Sequence, residues 1–275
     1  MGTSNLYKGP KKNILLPSDY NPDEIPELDN SPENVPEQEL PSDNPEENEP
    51  SESPIQPVTW GTVRSSISKA MNNRNGRNVK SAIRNYTKAL GGHTNATRQA
   101  VKVRNTAGVI YSYFAGAPDV IRKRLEEVGI QFNDRPTKDI FRDICNFITP
   151  VPNDLEDSLV NIALQETFAD VAADPNIDLS RLDSFNEELL QRLIGGLMKH
   201  YIFDKLILQS EQTALKKCTS TTKLRELEKN IKYYIDGIVD SIIPKLVRTG
   251  MNPSDFNRAL EALCDVSYKQ MEELQ

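Results

Sequence analysis

The chain has 275 residues, room for one or two globular domains at roughly 150 residues each, and carries a formal net charge of -7. Its longest strongly apolar stretch, Leu193–Leu208, is broken by Lys199, Asp204 and Lys205, so no uncharged run is long enough to cross a bilayer as a helix. Ile14-Leu15-Leu16 is too short for a secretory signal. The cysteines Cys145, Cys218 and Cys264 are odd in number and far apart, which predicts core thiols in a reducing cytosol rather than a disulfide framework or a zinc site.

The charge is unevenly spread. Residues 1–58 hold 13 of the 40 acids, 3 of the 33 bases and 11 of the 18 prolines. So polar and proline-rich a segment cannot bury enough surface to offset the entropy of ordering it, and it predicts a disordered tail. Within it, residues 1–17 contain no acid and carry Lys8, Lys11 and Lys12, whereas 18–58 form an acidic linker. Between Pro54 and Pro118 there is no Asp or Glu, yet ten bases: Arg64, Lys69, Arg74, Arg77, Lys80, Arg84, Lys88, Arg98, Lys102 and Arg104. From Asp119 onward 27 acids face 20 bases.

After Trp60 apolar residues recur at three and four, and no run alternates with period two, which predicts an all-α body over 59–275, basic over 59–118 and acidic over 119–275. Val79, Ile83, Tyr86 and Leu90 mark an amphipathic helix over Val79–Leu90, ended by Gly91-Gly92. A second helix is expected from Asn95 to Phe114, with Val101, Ala107, Val109, Ile110 and Phe114 available for burial. Ala117–Val128 follows, then Thr137–Ile148 with Ile140, Phe141, Ile144, Phe147 and Ile148 on its apolar side. Past the Pro150-Val151-Pro152 break, Asn153 or Asp154 is a good N-cap for a helix carrying Leu155, Leu159, Ile162, Leu164, Phe168 and Val171 and ending near Asp174-Pro175. Leu182, Phe185, Leu189, Leu193 and Leu197 predict a long core helix through Leu208. Its Gly195-Gly196 pair predicts a close helix crossing, because interior glycine costs roughly 1 kcal/mol unless packing compensates. Leu224–Val247 and Ser254–Met271 complete the set.

Signals of catalysis are sparse. Any Ser/His/Asp or Cys/His arrangement would need His93, in the glycine loop, or His200, in mid-helix, and both read best as core or surface histidines. His200 and Asp204 stand at i, i+4 but supply only two metal ligands. Gly91-Gly92-His93-Thr94 lacks the lysine and spacing of a P-loop. No catalytic residue, metal site or cofactor is assigned. The acid-free block is more informative: Lys80, Arg84, Lys88, Arg98, Lys102 and Arg104 offer a basic surface able to hold phosphates, an acidic partner or the chain's own tail. The block shows little aromatic interleaving, which argues against sequence-specific nucleic-acid recognition.

At the N-terminus, Met1-Gly2 predicts loss of the initiator methionine and an unhindered glycyl amine. The linker would let the first 17 residues wander several nanometres from the body, a layout that suits a presented peptide. Myristoylation is disfavoured because Leu6 stands where its motif requires Ser or Thr.

Met1-Gly2-Thr3-Ser4 with Gly9-Pro10 and Leu15-Leu16-Pro17, the basic block leading through Gly91-Gly92 into Thr97-Arg98-Gln99-Ala100, and the Pro150–Val171 stretch with ALQETFADV at its end together resemble the B component of the four-gene Qat anti-phage defence system of bacteria. Fewer arginines after Gly92 and a longer, more acidic linker depart from that family. The resemblance implies a non-enzymatic protein working beside an ATPase, a TatD-like nuclease and a QueC-like synthase (QatC) similar to 7-cyano-7-deazaguanine synthase. It further implies conjugation of a deazaguanine group to the amine of Gly2. Thr3 and Ser4 would then supply hydrogen bonds, Gly9 and Pro10 a turn, and Ile14, Leu15, Leu16 and Pro17 an apolar anchor for the partner. The alternative is a nucleic-acid-binding adaptor using 59–118.

Overall fold

The computed structural model describes residues 58–275 except 73–75, 133–134, 150, 180, 182–183 and 218–220, with backbone alone at 210–217 and 221. Expectations for the tail, for Leu182 and for Cys218 lie outside the described residues. Within them the chain forms ten helices and no strand. They are α1 (Trp60–Asn72), α2 (Gly76–Ala89), α3 (Gly92–Gln99), α4 (Val101–Phe114), α5 (Pro118–Glu127), α6 (Thr137–Ile148), α7 (Leu155–Ala172), α8 (Glu187–Lys217), α9 (Thr221–Leu246) and α10 (Pro253–Glu272).

Local chemistry explains several boundaries. Asp154 caps α7 by accepting the Asp157 N–H at 2.9 Å, and Asn252 caps α10 by accepting the Asp255 N–H at the same distance. Each satisfies a donor that the first turn leaves without a helical partner. Pro118 and Pro253 open α5 and α10, where a missing N–H costs nothing.

The core is laid around α8, which packs against α1, α4, α7 and α9, while α10 lies across α2, α3, α4 and α9. Phe114, Phe141, Phe168 and Phe185 interlock in one aromatic cluster between α4, α6, α7 and the approach to α8. The expected close crossing occurs at Gly196: a Cβ there would lie 2.7 Å from Thr167 Cγ2 on α7, whereas at Gly195 it would meet Ile243 at an ordinary 3.6 Å.

Three expectations are corrected. The helix placed over Asn95–Phe114 is two helices parted at Ala100, whose N–H is shared between the carbonyls of Ala96 and Thr97. No glycine or proline marks this break. The segment before it, α3, is docked against α10, a contact that the continuous apolar period does not reveal. The long core helix starts later, at Glu187, and runs past Leu208 to Lys217. Val101, Val109, Phe147, Leu155 and Ile162, all read as core, are exposed, each on the solvent side of a helix whose other apolar residues are buried.

Candidate functional site

The six cations assigned to a basic surface separate into two groups. Lys80, Arg84 and Lys88 stand at i, i+4 and i+8 on α2, so successive charges rise about 6 Å along one ridge. Neither these three nor Arg98 on α3 has an ion pair among the described residues. Lys102 is claimed: it bridges Asp154 at 2.5 Å and Asp157 at 2.7 Å, tying the start of α4 to the first turn of α7. The hydrogen bonds that Lys102 donates to those carboxylates raise its own pKa and hold both acids below their ordinary range. Arg104 is half-buried, reaches Glu261 only at 3.8 Å, and keeps a buried Nε without a partner. It borders a cleft of about 670 Å³ between α4 and the start of α10, floored by Val109, Met251 and Phe256. Across that cleft Arg124 donates to the carbonyls of Ser112 and Ala115, closing the end of α4, and Tyr111 stacks on Phe256 at 3.7 Å.

The glycine loop is a clamp. Gly91 and Gly92 take φ of 92° and 81°, the left-handed region open chiefly to glycine. The His93 N–H donates to Glu272 Oε2 at 3.0 Å, and His93 Nδ1 lies 2.7 Å from Asp265 Oδ1. Carboxylates from α10 thus occupy the opening of α3, where unsatisfied N–H groups favour negative charge.

His200, 4% exposed, sits in an ionic pocket between α7 and α8. Its Nε2 is 2.9 Å from Asp170 Oδ2, while Nδ1 approaches Glu166 Oε2 at 2.7 Å without the alignment of a hydrogen bond. One turn on, burial and then the Glu166 charge raise the Asp204 carboxyl to about 6, and its Oδ2 is buried without a partner. Among the described residues no group of three His, Cys, Asp or Glu is arranged to hold a metal.

Sequence reasoning passed over a buried network. Lys205, 4% exposed, donates to Glu156 Oε1 and to the Tyr201 hydroxyl, each at 2.9 Å, and Tyr201 itself donates to Glu156. Burial, then the hydrogen bond to Glu156, keeps the Tyr201 hydroxyl protonated far above its ordinary range. The available signal was a lysine four residues after a tyrosine on the apolar stripe of α8. Cys145 and Cys264 are buried free thiols, as expected, and burial pushes Cys264 up to about 12. Gly2, Thr3, Ser4, Gly9, Pro10, Ile14, Leu15, Leu16 and Pro17 lie outside the described residues.

Fold and surface together define an all-α protein with a cationic ridge on α2 and an ion-paired interior. The chain belongs to the QatB family: the family model described as Qat anti-phage system associated protein QatB matches residues 91–270. No curated protein and no solved structure matches the chain. The matched span opens at the glycine clamp and takes in Thr97–Ala100 and Ala163–Val171, both quoted above for the resemblance. Membership makes the chain a component of an anti-phage defence system. No helix among the described residues is long and apolar enough to cross a membrane.

Proposed function

We propose that the chain is a non-enzymatic component of Qat defence that accepts a deazaguanine group on the amine of Gly2 from the system's QueC-like synthase, QatC. The carrying observation is the pairing of family membership over the helical body with an acid-free N-terminal peptide, MGTSNLYKGPKKNILLP, placed ahead of an acidic linker. An ATP-using synthase of this type activates the deazaguanine carboxylate as a nucleotide ester; the unprotonated amine attacks its carbonyl carbon, an amide C–N bond forms, the nucleotide leaves and the amine's proton passes to solvent. The α-amino group, with a pKa near 8, offers a far larger unprotonated fraction at neutral pH than lysine near 10.4, so Gly2 outcompetes Lys8, Lys11 and Lys12. Glycine also lets the backbone approach a reaction centre without a side-chain clash.

In this reading Thr3 and Ser4 hydrogen-bond beside the reacting amine and Gly9-Pro10 turns the peptide. Ile14, Leu15 and Leu16 enter an apolar groove, each buried side chain contributing roughly 1.5 to 3 kcal/mol before ordering costs. The ATPase and the TatD-like nuclease of the system are further candidate partners, and in this reading the chain acts in the cytoplasm. The variants Gly2→Glu and Leu15→Asp/Leu16→Asp test the assignment in cells that also make the synthase. Loss of modification in the first and weakened synthase capture by the second are expected. Full modification in both would show that the N-terminal peptide is not the substrate.

A further inference from the structure

The basic block has little aromatic interleaving of its own, and its one aromatic between Arg84 and Lys88, Tyr86, is buried; an accessible aromatic group comes from α9. A Cβ at Gly76, the first residue of α2, would lie 2.8 Å from the Tyr234 hydroxyl, so the start of α2 abuts α9. Lys80 Nζ then lies 5.8 Å from the Tyr234 ring centroid, within cation–π range. Tyr234 meets Tyr233 edge-on, with centroids 5.6 Å apart at 76°. Tyr233 is 73% exposed, so that contact covers little of its ring. Lys229, one turn before Tyr233, is exposed and has no ion pair among the described residues. Asp236 is half-buried in the cleft with Lys199, Lys232 and His200.

A row of unpaired cations leading to an open aromatic ring suits one chemistry above others. Single-stranded nucleic acid presents phosphates to the cations and an unstacked base to the ring, and base–aromatic stacking does not depend on sequence. An acidic protein segment would satisfy the cations and leave Tyr233 unused. A duplex keeps its bases stacked and would do the same. We propose that the ridge Lys80, Arg84 and Lys88 of α2, with Tyr233 of α9, binds single-stranded nucleic acid without sequence preference, a role separate from the acceptor function.

Fluorescence anisotropy of the full chain with a labelled thymidine oligonucleotide of about 20 nucleotides, titrated with salt, tests this. Three phosphate contacts give a slope of log affinity on log salt near -2, and Arg84→Gln/Lys88→Gln flattens it by about 1.4. Tyr233→Ala weakens binding about 5- to 150-fold with the slope unchanged. Lys88 and Tyr233 are exposed, and Arg84 is half-buried without an ion pair among the described residues, so unchanged far-ultraviolet dichroism of the variants is expected and checks that they fold. The proposal is overturned by no binding at about 100 µM protein in about 50 mM salt, where electrostatic contacts are strongest. It is equally overturned if Tyr233→Ala binds like the parent, if a duplex of equal length binds as well, or if polyglutamate displaces the oligonucleotide at equal charge.

Discussion

Replacing Lys205 by methionine removes the cation from the interior of α8 while keeping the length and apolar character of its stem. In the parent the ammonium lies 2.9 Å from Glu156 Oε1 and 2.9 Å from the Tyr201 hydroxyl, with a side chain 6% exposed. Breaking a fully buried pair costs about 3 to 5 kcal/mol, mostly because the orphaned partner stays desolvated. Here Glu156 keeps 25% of its side chain in water and still accepts from Tyr201, so the expected loss is about 2 to 4 kcal/mol. For a helical body of this size that is a fall in melting temperature of roughly 5 to 15 °C. Glu156→Gln alone is expected to cost about 2 kcal/mol, since it leaves a buried ammonium without its counter-charge. The double variant should lie well above the sum of the singles, with a coupling of about 2 kcal/mol in a double-mutant cycle measured by urea unfolding. Additive single costs, or a Lys205→Met midpoint equal to that of the parent, would refute the reasoning.

Three further outcomes follow from the geometry. Asp204 has its folded pKa raised to about 6 against about 3.9 unfolded, so the parent loses stability as pH rises from near 4 through 6; with its partial exposure discounted, Asp204→Asn should gain about 1 to 2 kcal/mol at pH 8 and almost nothing near pH 4, read by thermal unfolding. Gly196→Ala forces a Cβ to 2.7 Å from Thr167, itself 1% exposed, and should destabilise by about 1 to 3 kcal/mol. Gly195→Ala, at ordinary contact distance from Ile243, should be neutral or gain up to about 1 kcal/mol from helix propensity; equal effects at the two positions would contradict the crossing described. Glu272→Gln should weaken the hold of α10 on the glycine loop and raise amide exchange at His93, whose N–H it accepts, by about 5-fold or more for a net loss near 1 kcal/mol.

Where helix ends rest on local chemistry, they could be read from the residues. Thr137–Ile148 was placed to the residue because prolines precede and follow it. The Asp154 cap is also visible, and Gly91-Gly92 marks the end of α2, although α3 opens at Gly92, three residues before the expected Asn95. Of the tertiary features, the crossing at Gly196 is legible from its glycine pair, and the following are not. Ala100 carries no breaker, and the contact of α3 with α10 beside it joins segments distant in sequence. The apolar spacing of α4, α6 and α7 does not say which side meets the core, so Val109, Phe147 and Leu155 were misplaced. Lys102 and Arg104 look like Lys80 and Arg84 in sequence, and only the folded arrangement gives them acids from α7 and α10. The pairing of Lys80 with Tyr234 joins residues some 150 positions apart, beyond the reach of any local pattern.

The central claim concerns the amine of Gly2, and mass spectrometry addresses it directly. The chain is made with and without the neighbouring synthase-like gene, and its intact mass and N-terminal peptide are compared. The account predicts an added mass equal to a deazaguanine group, located on Gly2 and present only when the synthase is made. An unmodified Gly2 in the presence of an active synthase, or the same mass on Lys8, Lys11 or Lys12, would contradict it.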